Sequence, residues 1–211
     1  MKKNDAGLPY SRTYAVLIPI IAFLLKTILP VRYSGLENLN REGPFILIGN
    51  HLSMVDPVLM AVPMKKRQVT FLSKKELSRI PVVGAFLRLL HPIFVDRHAS
   101  DMEAMRACMK TLRDGGVLGI FPEGTRSHGG TMEHIESGVA LMALRSKVPV
   151  VPVYITGKIG LFRPLDVVFG EPVEMDDLRQ AGVNNETCQE LVNRIRVMYK
   201  EFAKSRQTKK A

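Results

Sequence analysis

After residue 30, short apolar runs alternate with stretches of helical pattern. The runs are "FILIG" (Phe45 to Gly49), "VTFLS" (Val69 to Ser73), "PIFVD" (Pro92 to Asp96), "VLGIF" (Val117 to Phe121) and "VPVVPVYI" (Val148 to Ile155), with "DVVFG" (Asp166 to Gly170) as a candidate sixth. Such runs read as buried strands, and the spacing between them leaves room for helices. The pattern predicts an α/β fold with a mostly parallel central sheet flanked by helices. Between the third and fourth runs, Met102, Met105, Met109 and Leu112 mark an amphipathic helix whose methionine stripe faces the core. "RDGG" then ends it with glycine at the C-cap.

The N-terminal stretch "YAVLIPIIAFLLKTILP" (Tyr14 to Pro30) is more apolar than any other, but Pro19 and Lys26 interrupt it. Its longest uncharged run falls short of the roughly 20 residues a spanning helix needs. Lys2 and Lys3 precede it as they would in a signal peptide, yet no small-residue cleavage site follows. The expectation is a helix, or a broken helix, lying in a membrane interface with Arg12, Lys26 and Arg32 at headgroup level. The plain alternative is a core helix.

Charge changes the picture further. Lys and Arg number 30 against 20 Asp and Glu, a net charge of +10, which favours an anionic partner. With no Trp and 7% aromatics, a stacking surface for bases is poorly supplied. The C-terminal stretch Arg194 to Lys210 carries seven Lys or Arg against one Glu, by default a solvated helix with a frayed end. Cys108 and Cys188 show neither metal nor disulfide spacing and fit small apolar packing in a reducing compartment. At 211 residues the chain suits one domain with a real core, or one domain plus an appendage.

Chemistry collects where the strands end. Asn50, His51 and Asp56 follow the first run, Lys74 and Lys75 the second, Arg97 the third, and "PEGTRS" with Glu123, Thr125 and Arg126 the fourth. In an open, mostly parallel sheet the carboxyl ends share one edge, where ligands bind. One polar loop there means little; four with complementary groups mean more.

In "NHLSMVDP", "SMVD" reads as a capping box with Ser53 at the N-cap; Asp56 at the N-cap with Pro57 at N1 is the other register. Either one puts Asp56 at the positive end of a helix. One carboxylate oxygen is then expected to accept from a backbone amide and the other from His51 Nδ1–H, leaving Nε2 as a general base. No Gly-x-Ser-x-Gly elbow and no nearby cysteine supplies a nucleophile. The substrate is therefore expected to bring its own hydroxyl, with Lys74, Arg97 and Arg126 able to hold a phosphate.

"NHLSMVDP" resembles the catalytic motif of the glycerolipid acyltransferases, the 1-acyl-glycerol-3-phosphate acyltransferase family. "FLSKKELSRIPVVGAFLRLLHPIFVDR", "FPEGTRS" and "VPVVPVYI" resemble its second, third and fourth blocks, in the family's order, over residues 45 to 155. The resemblance implies His51 as general base and Asp56 as its orienting partner. It implies Arg97, Glu123, Gly124, Thr125 and Arg126 as substrate-binding residues of the acceptor and phosphate site, with Lys74 assisting. The implied reaction moves a fatty acyl group from a coenzyme A or acyl carrier protein thioester to a lysophospholipid hydroxyl, with no metal and no further cofactor. Two positions depart from the family: His91-Pro92 stands where a glycine is frequent, and Glu136, within "IESG", where a lysine is common. The reversed charge bears on the acceptor headgroup.

The organisation expected is a membrane-associating segment over residues 1–33 and an acyltransferase domain over 34–211. The expected location is the cytoplasmic face of a membrane, peripheral or monotopic, with no nucleic-acid partner. The rivals are an acyltransferase of another lyso-lipid and a non-catalytic basic module that binds membrane or nucleic acid.

Overall fold

All five residues of the run Phe45–Gly49 are buried, which only a strand covered on both faces can achieve. The computed structural model describes residues 2–3, 9–64, 67–81, 84, 87, 90–95, 102–124, 126, 132–156 and 164–208. In it this run is the central strand, β2, of a seven-stranded sheet. The others are β1 (Val31–Ser34), β3 (Val69–Lys74), β4 (Ile93–Val95), β5 (Val117–Ile120), β6 (Val150–Thr156) and β7 (Leu165–Phe169). Their spatial order is β1-β7-β6-β2-β5-β3-β4. The five strands from β6 to β4 run parallel, while β7 pairs antiparallel with β6 and carries β1 parallel to itself. The mostly parallel α/β sheet expected from the apolar runs is the fold observed.

Strand parity divides the core. Ile46, Ile48, Leu118, Ile120 and Val150 face one side, packed with Leu112, Ala140, Leu191 and Ile195. Those come from α3 (Met102–Arg113), α4 (Ser137–Ser146) and α6 (Asn185–Thr208). Phe45, Leu47, Val117, Val151 and Val153 face the other side, with Leu59 and Met60 of α2 (Asp56–Ala61). A short helix, α5 (Asp176–Gln180), precedes α6.

The helix of methionines is observed, with one correction. Met105 and Met109 pack on the core, but Met102 is exposed, because the buried face runs through Ala104, Cys108 and Leu112. Its end is as expected. Gly115 sits at φ 82, Gly115 N–H donates to Leu112 O and Gly116 N–H to Thr111 O, the paired bonds of a glycine-terminated helix. His91 sits at φ 50, a left-handed conformation that glycine enters at no cost. The departure from the family's frequent glycine thus falls on a backbone suited to one.

The N-terminal apolar stretch forms α1 (Arg12–Ile28), continuous through Pro19. Ser11 caps it by accepting Tyr14 N–H, and its own N–H donates to Gln68 Oε1. One face is buried: Tyr14 and Ile18 pack with Ala61, and Leu25 packs against the core. Tyr14 Oη also accepts Val69 N–H at 3.3 Å, fastening α1 to the start of β3. The opposite face exposes Val16, Ile20, Phe23, Leu24 and Ile28, each by half or more. No helix among the described residues is long and apolar enough to cross a membrane. Arg32 forks the Asp166 carboxylate across β1 and β7, at 2.7 and 3.0 Å. The Lys26 side chain lies outside the described residues.

Candidate active site

The crevice begins where β2 runs out. Gly49 ends the strand without a Cβ; one added there would lie 2.7 Å from Met60 Sδ and 3.2 Å from Phe121 Cε1. Asn50 is fully buried and extends the ladder with its side chain: Nδ2–H donates to Ile155 O (2.9 Å) and Oδ1 accepts Ile155 N–H (2.8 Å). The chain then turns out of the sheet at His51.

His51 Nδ1 lies 2.9 Å from Asp56 Oδ2. The same oxygen accepts Leu52 N–H and Ser53 N–H, both at 2.6 Å, while Oδ1 accepts the Ser53 hydroxyl. The expected division, with one oxygen for the backbone and one for histidine, is therefore corrected: Oδ2 takes all three N–H donors. The register is corrected as well. Val55 is the N-cap, Asp56 is N1 and Pro57 follows. The chemistry of a capping box survives, since Asp56 reaches back to Ser53 N–H while Ser53 Oγ accepts Val55 N–H at 3.2 Å. Helix ends fray by a residue or two, so these bonds define the turn better than its boundary does.

Asp56 is 1% exposed and the His51 side chain 19%, so the carboxylate is sealed and the imidazole opens on one side. Phe121 stacks on the imidazole at 4.3 Å between centroids, and Phe71 stacks on Phe121 at 6.0 Å. Gly119 makes room for this: a Cβ there would lie 2.2 Å from Phe71 Cε1. Beyond Phe71 is a small apolar cleft lined by Tyr14, Ile18, Pro57, Val58 and Leu90 among others.

After β5 the turn at Glu123 and Gly124 is set by Gly124 (φ 64), whose N–H donates to Phe121 O. Glu136, the N-cap of α4, donates its N–H to Pro122 O, so the residue of reversed charge is tied to this same turn. Lys74 ends β3, and both Lys74 and Arg126 are exposed. With neighbouring strands about 4.8 Å apart, β3 lies about 10 Å from β2 along the edge and β4 about 14 Å. The sheet order thus puts Lys74 to one side of His51, away from β6. Arg97 and Thr125 lie outside the described residues. The contacts join His51, Asp56 and Phe121 directly, whereas Lys74 ends β3 and Arg126 follows the turn after β5. Ser53 was expected only as a helix cap, and its hydroxyl also binds the Asp56 carboxylate, while Phe121, which stands inside a quoted motif, carries no role in the sequence reading.

A family model described as Acyltransferase matches residues 30–156, more than half of the chain. A 1-acyl-sn-glycerol-3-phosphate acyltransferase of Bacillus subtilis is 30% identical over 70% of this chain and 75% of its own length. One of Borreliella burgdorferi is 35% identical over 57% of this chain and 48% of its own. The crystal structure of the 1-acyl-sn-glycerophosphate acyltransferase PlsC from Thermotoga maritima superposes with a TM-score of 0.66 at 25% identity. It covers 90% of this chain and 78% of that one. The motifs, the fold and the relatives converge: this protein belongs to the acyltransferase family.

Proposed function

We propose that the protein transfers a fatty acyl group from an acyl thioester to the free hydroxyl of 1-acyl-glycerol-3-phosphate, giving phosphatidic acid. The observation that carries this is the 2.9 Å contact of His51 Nδ1 with an Asp56 oxygen already committed to two backbone amides. An acceptor so fixed favours the proton on Nδ1 and leaves Nε2 as the basic nitrogen. Nε2 takes the acceptor's hydroxyl proton as its oxygen bonds to the thioester carbonyl carbon. The carbon–sulfur bond of the resulting tetrahedral intermediate then breaks, and the thiolate leaves with the proton held on His51. Arg97 and Arg126 bind the acceptor phosphate, assisted by Lys74, with Glu123, Gly124 and Thr125 shaping the site. The apolar cleft beyond Phe71 favours a fatty chain lying near Pro57, one ring from the His51 stack.

The acceptor follows the names of three relatives, of Bacillus subtilis, Borreliella burgdorferi and Streptococcus pneumoniae, each a 1-acyl-sn-glycerol-3-phosphate acyltransferase. A different lyso-lipid acceptor is the second reading, favoured by one observation: Glu136 sets a negative charge beside the Glu123 turn. The protein works from a membrane surface, reached through the exposed apolar face of α1, on the cytoplasmic side where thioester donors are made.

The test is a panel of lysophosphatidic acid, lysophosphatidylglycerol and lysophosphatidylcholine, each offered with acyl-coenzyme A and with acyl carrier protein. Phosphatidic acid as the dominant product supports the first reading. Preference for another headgroup moves the assignment to the second, and no transfer with any pair overturns both.

A further inference from the structure

The buried tyrosine of the last helix touches the strand that delivers His51. Tyr199, on α6, is fully buried, and its ring meets Tyr154 and Phe202 edge-on at 6.0 and 5.9 Å. Its hydroxyl passes between two strands. It donates to Ile48 O of β2 at 2.5 Å, with Val153 O of β6 as an alternative at 3.0 Å, and accepts Val153 N–H at 3.3 Å. Ile48 stands opposite Pro152 and Gly49 opposite Val153 in the register of β2 and β6.

Two pins therefore hold the end of β2. The Tyr199 hydroxyl fixes the peptide that joins Ile48 to Gly49. The Asn50 amide fixes the chain again at Ile155. Between them lies Gly49, which has the widest backbone freedom of any residue. His51 comes directly after the second pin, whereas Asp56 is anchored separately at the start of α2. The 2.9 Å contact between them thus depends on two supports, and only a fixed Gly49 keeps one in register with the other. Burial pushes the Tyr199 phenol well above its ordinary value, with the Glu123 carboxylate adding to the effect, so the hydroxyl remains a donor.

We propose that Tyr199 is a positioning residue for acyl transfer, holding His51 on Asp56 by pinning the peptide before Gly49. This rests on the reading of His51 as the general base. The role belongs to the hydroxyl, while the ring serves only packing. Misplacing a reacting group by about an ångström can cost on the order of a hundredfold in rate.

The experiment compares the full chain carrying Tyr199→Phe, Phe202→Leu or His51→Ala with the unaltered protein. The probes are lysophosphatidic acid and acyl-coenzyme A, at a temperature well below every melting transition. Tyr199→Phe is expected to lower kcat by about ten- to a hundredfold with both KM values within about twofold. Phe202→Leu, which disturbs the same aromatic cluster and spares the hydroxyl, is expected to lower Tm and leave kcat alone. 4-Fluorophenylalanine at position 199, which fills the ring's space without an O–H, is expected to behave as Tyr199→Phe does. Unchanged kcat in folded Tyr199→Phe overturns the proposal, as does an equal loss in Phe202→Leu. Failure of both position-199 variants to fold also overturns it, because the tyrosine then serves the fold alone. Transfer by folded His51→Ala would refute the base reading itself. A dead His51→Ala beside a fully active Tyr199→Phe refutes only the positioning role.

Discussion

Asp56 Oδ2 receives three N–H donors at 2.6–2.9 Å, so the carboxylate organises its loop and orients His51 at once. Asp56→Asn keeps the shape but loses the charge and one acceptor, and the new amide hydrogens confront donors that cannot turn away. Turnover is expected to fall by roughly 10³–10⁴-fold, since the imidazole is released to the wrong tautomer. His51→Ala should abolish transfer outright yet melt close to the unaltered protein, because its imidazole is packed against one ring rather than buried in the core. Steady-state kinetics and thermal melts on the same samples test both. An Asp56→Asn protein with near-normal turnover would remove the carboxylate from the mechanism. These two residues were legible from spacing and helix-start chemistry. Their bonding pattern was not, because which oxygen meets which donor depends on how the Ser53–Val55 turn folds back. Tyr199 was out of reach for a different reason. It stands 151 residues from Ile48, and nothing local distinguishes a hydroxyl that enters a sheet from one that meets water.

Among the elements of the seven-stranded sheet, β1 is the strand the apolar pattern did not mark. "VRYS" is four residues long, alternates half-buried with exposed, and follows Pro30, so it reads as a loop. Its partner β7 lies some 130 residues away, and the Arg32–Asp166 fork crosses the same pair. Strands buried on both faces announce themselves, whereas an edge strand is made by its neighbour. Gly35 completes that edge. It has φ 73, and an added Cβ would stand 1.8 Å from Phe169 O. Gly35→Ala should therefore destabilise by about 2–5 kcal/mol, combining left-handed strain with a forced backbone shift, as read by urea unfolding. Unchanged stability would mean that the β1–β7 corner is looser than it looks. At the other end, Arg194 of α6 forks Asp177 of α5 at 2.8 and 2.6 Å, and that hydrogen bonding holds the carboxyl at about 2 against an ordinary 3.8. A depressed carboxyl contributes stability that is present above its unfolded value and is lost as pH falls through its folded one. The advantage of the unaltered protein over Asp177→Asn should hence be full above about pH 5, shrink as pH falls through 3.8, and vanish only below about pH 2. Urea midpoints across that window measure it, and a gap that persists at the acid end would assign the effect to something other than the charge. Asp177 is exposed and Arg194 only half-buried, so solvent keeps it small.

On the scale of the whole molecule, α1 has two apolar faces and the fold uses one. Tyr14 and Ile18 are 1% and 4% exposed, while Val16, Ile20, Phe23, Leu24 and Ile28 are 50–71% exposed on the other side. The sequence marked this segment as apolar throughout but could not say that it serves core and surface together, because that division is made by β3 and α2 packing on it. A membrane under the free face would spare a lipid substrate its transfer through water, which costs about 0.8 kcal/mol per methylene. Five such side chains, about half exposed, offer roughly 4–8 kcal/mol on burial at ~1.5–3 kcal/mol each. The net charge of +10 adds attraction to anionic lipid, worth about 1 kcal/mol for each Lys or Arg close to the surface. That second contribution fades when the Debye length shrinks to about 3 Å at 1 M salt, whereas the first does not. Deleting α1 would confuse the two questions by stripping Tyr14 and Ile18 from the core, so the free face is the cleaner handle. Phe23→Ser combined with Ile20→Ser should leave the melting temperature within a few degrees. In flotation with anionic vesicles, the unaltered protein is expected to stay bound at 1 M salt, and the double variant to bind at low salt only. Equal flotation of both at high salt would put the anchor elsewhere, and loss of both would make the attachment purely electrostatic. The same variant should retain activity on a short-chain acceptor dissolved in water and lose most of it on a bilayer-embedded one, because α1 would then govern access to the lipid while His51 and Asp56 remain intact.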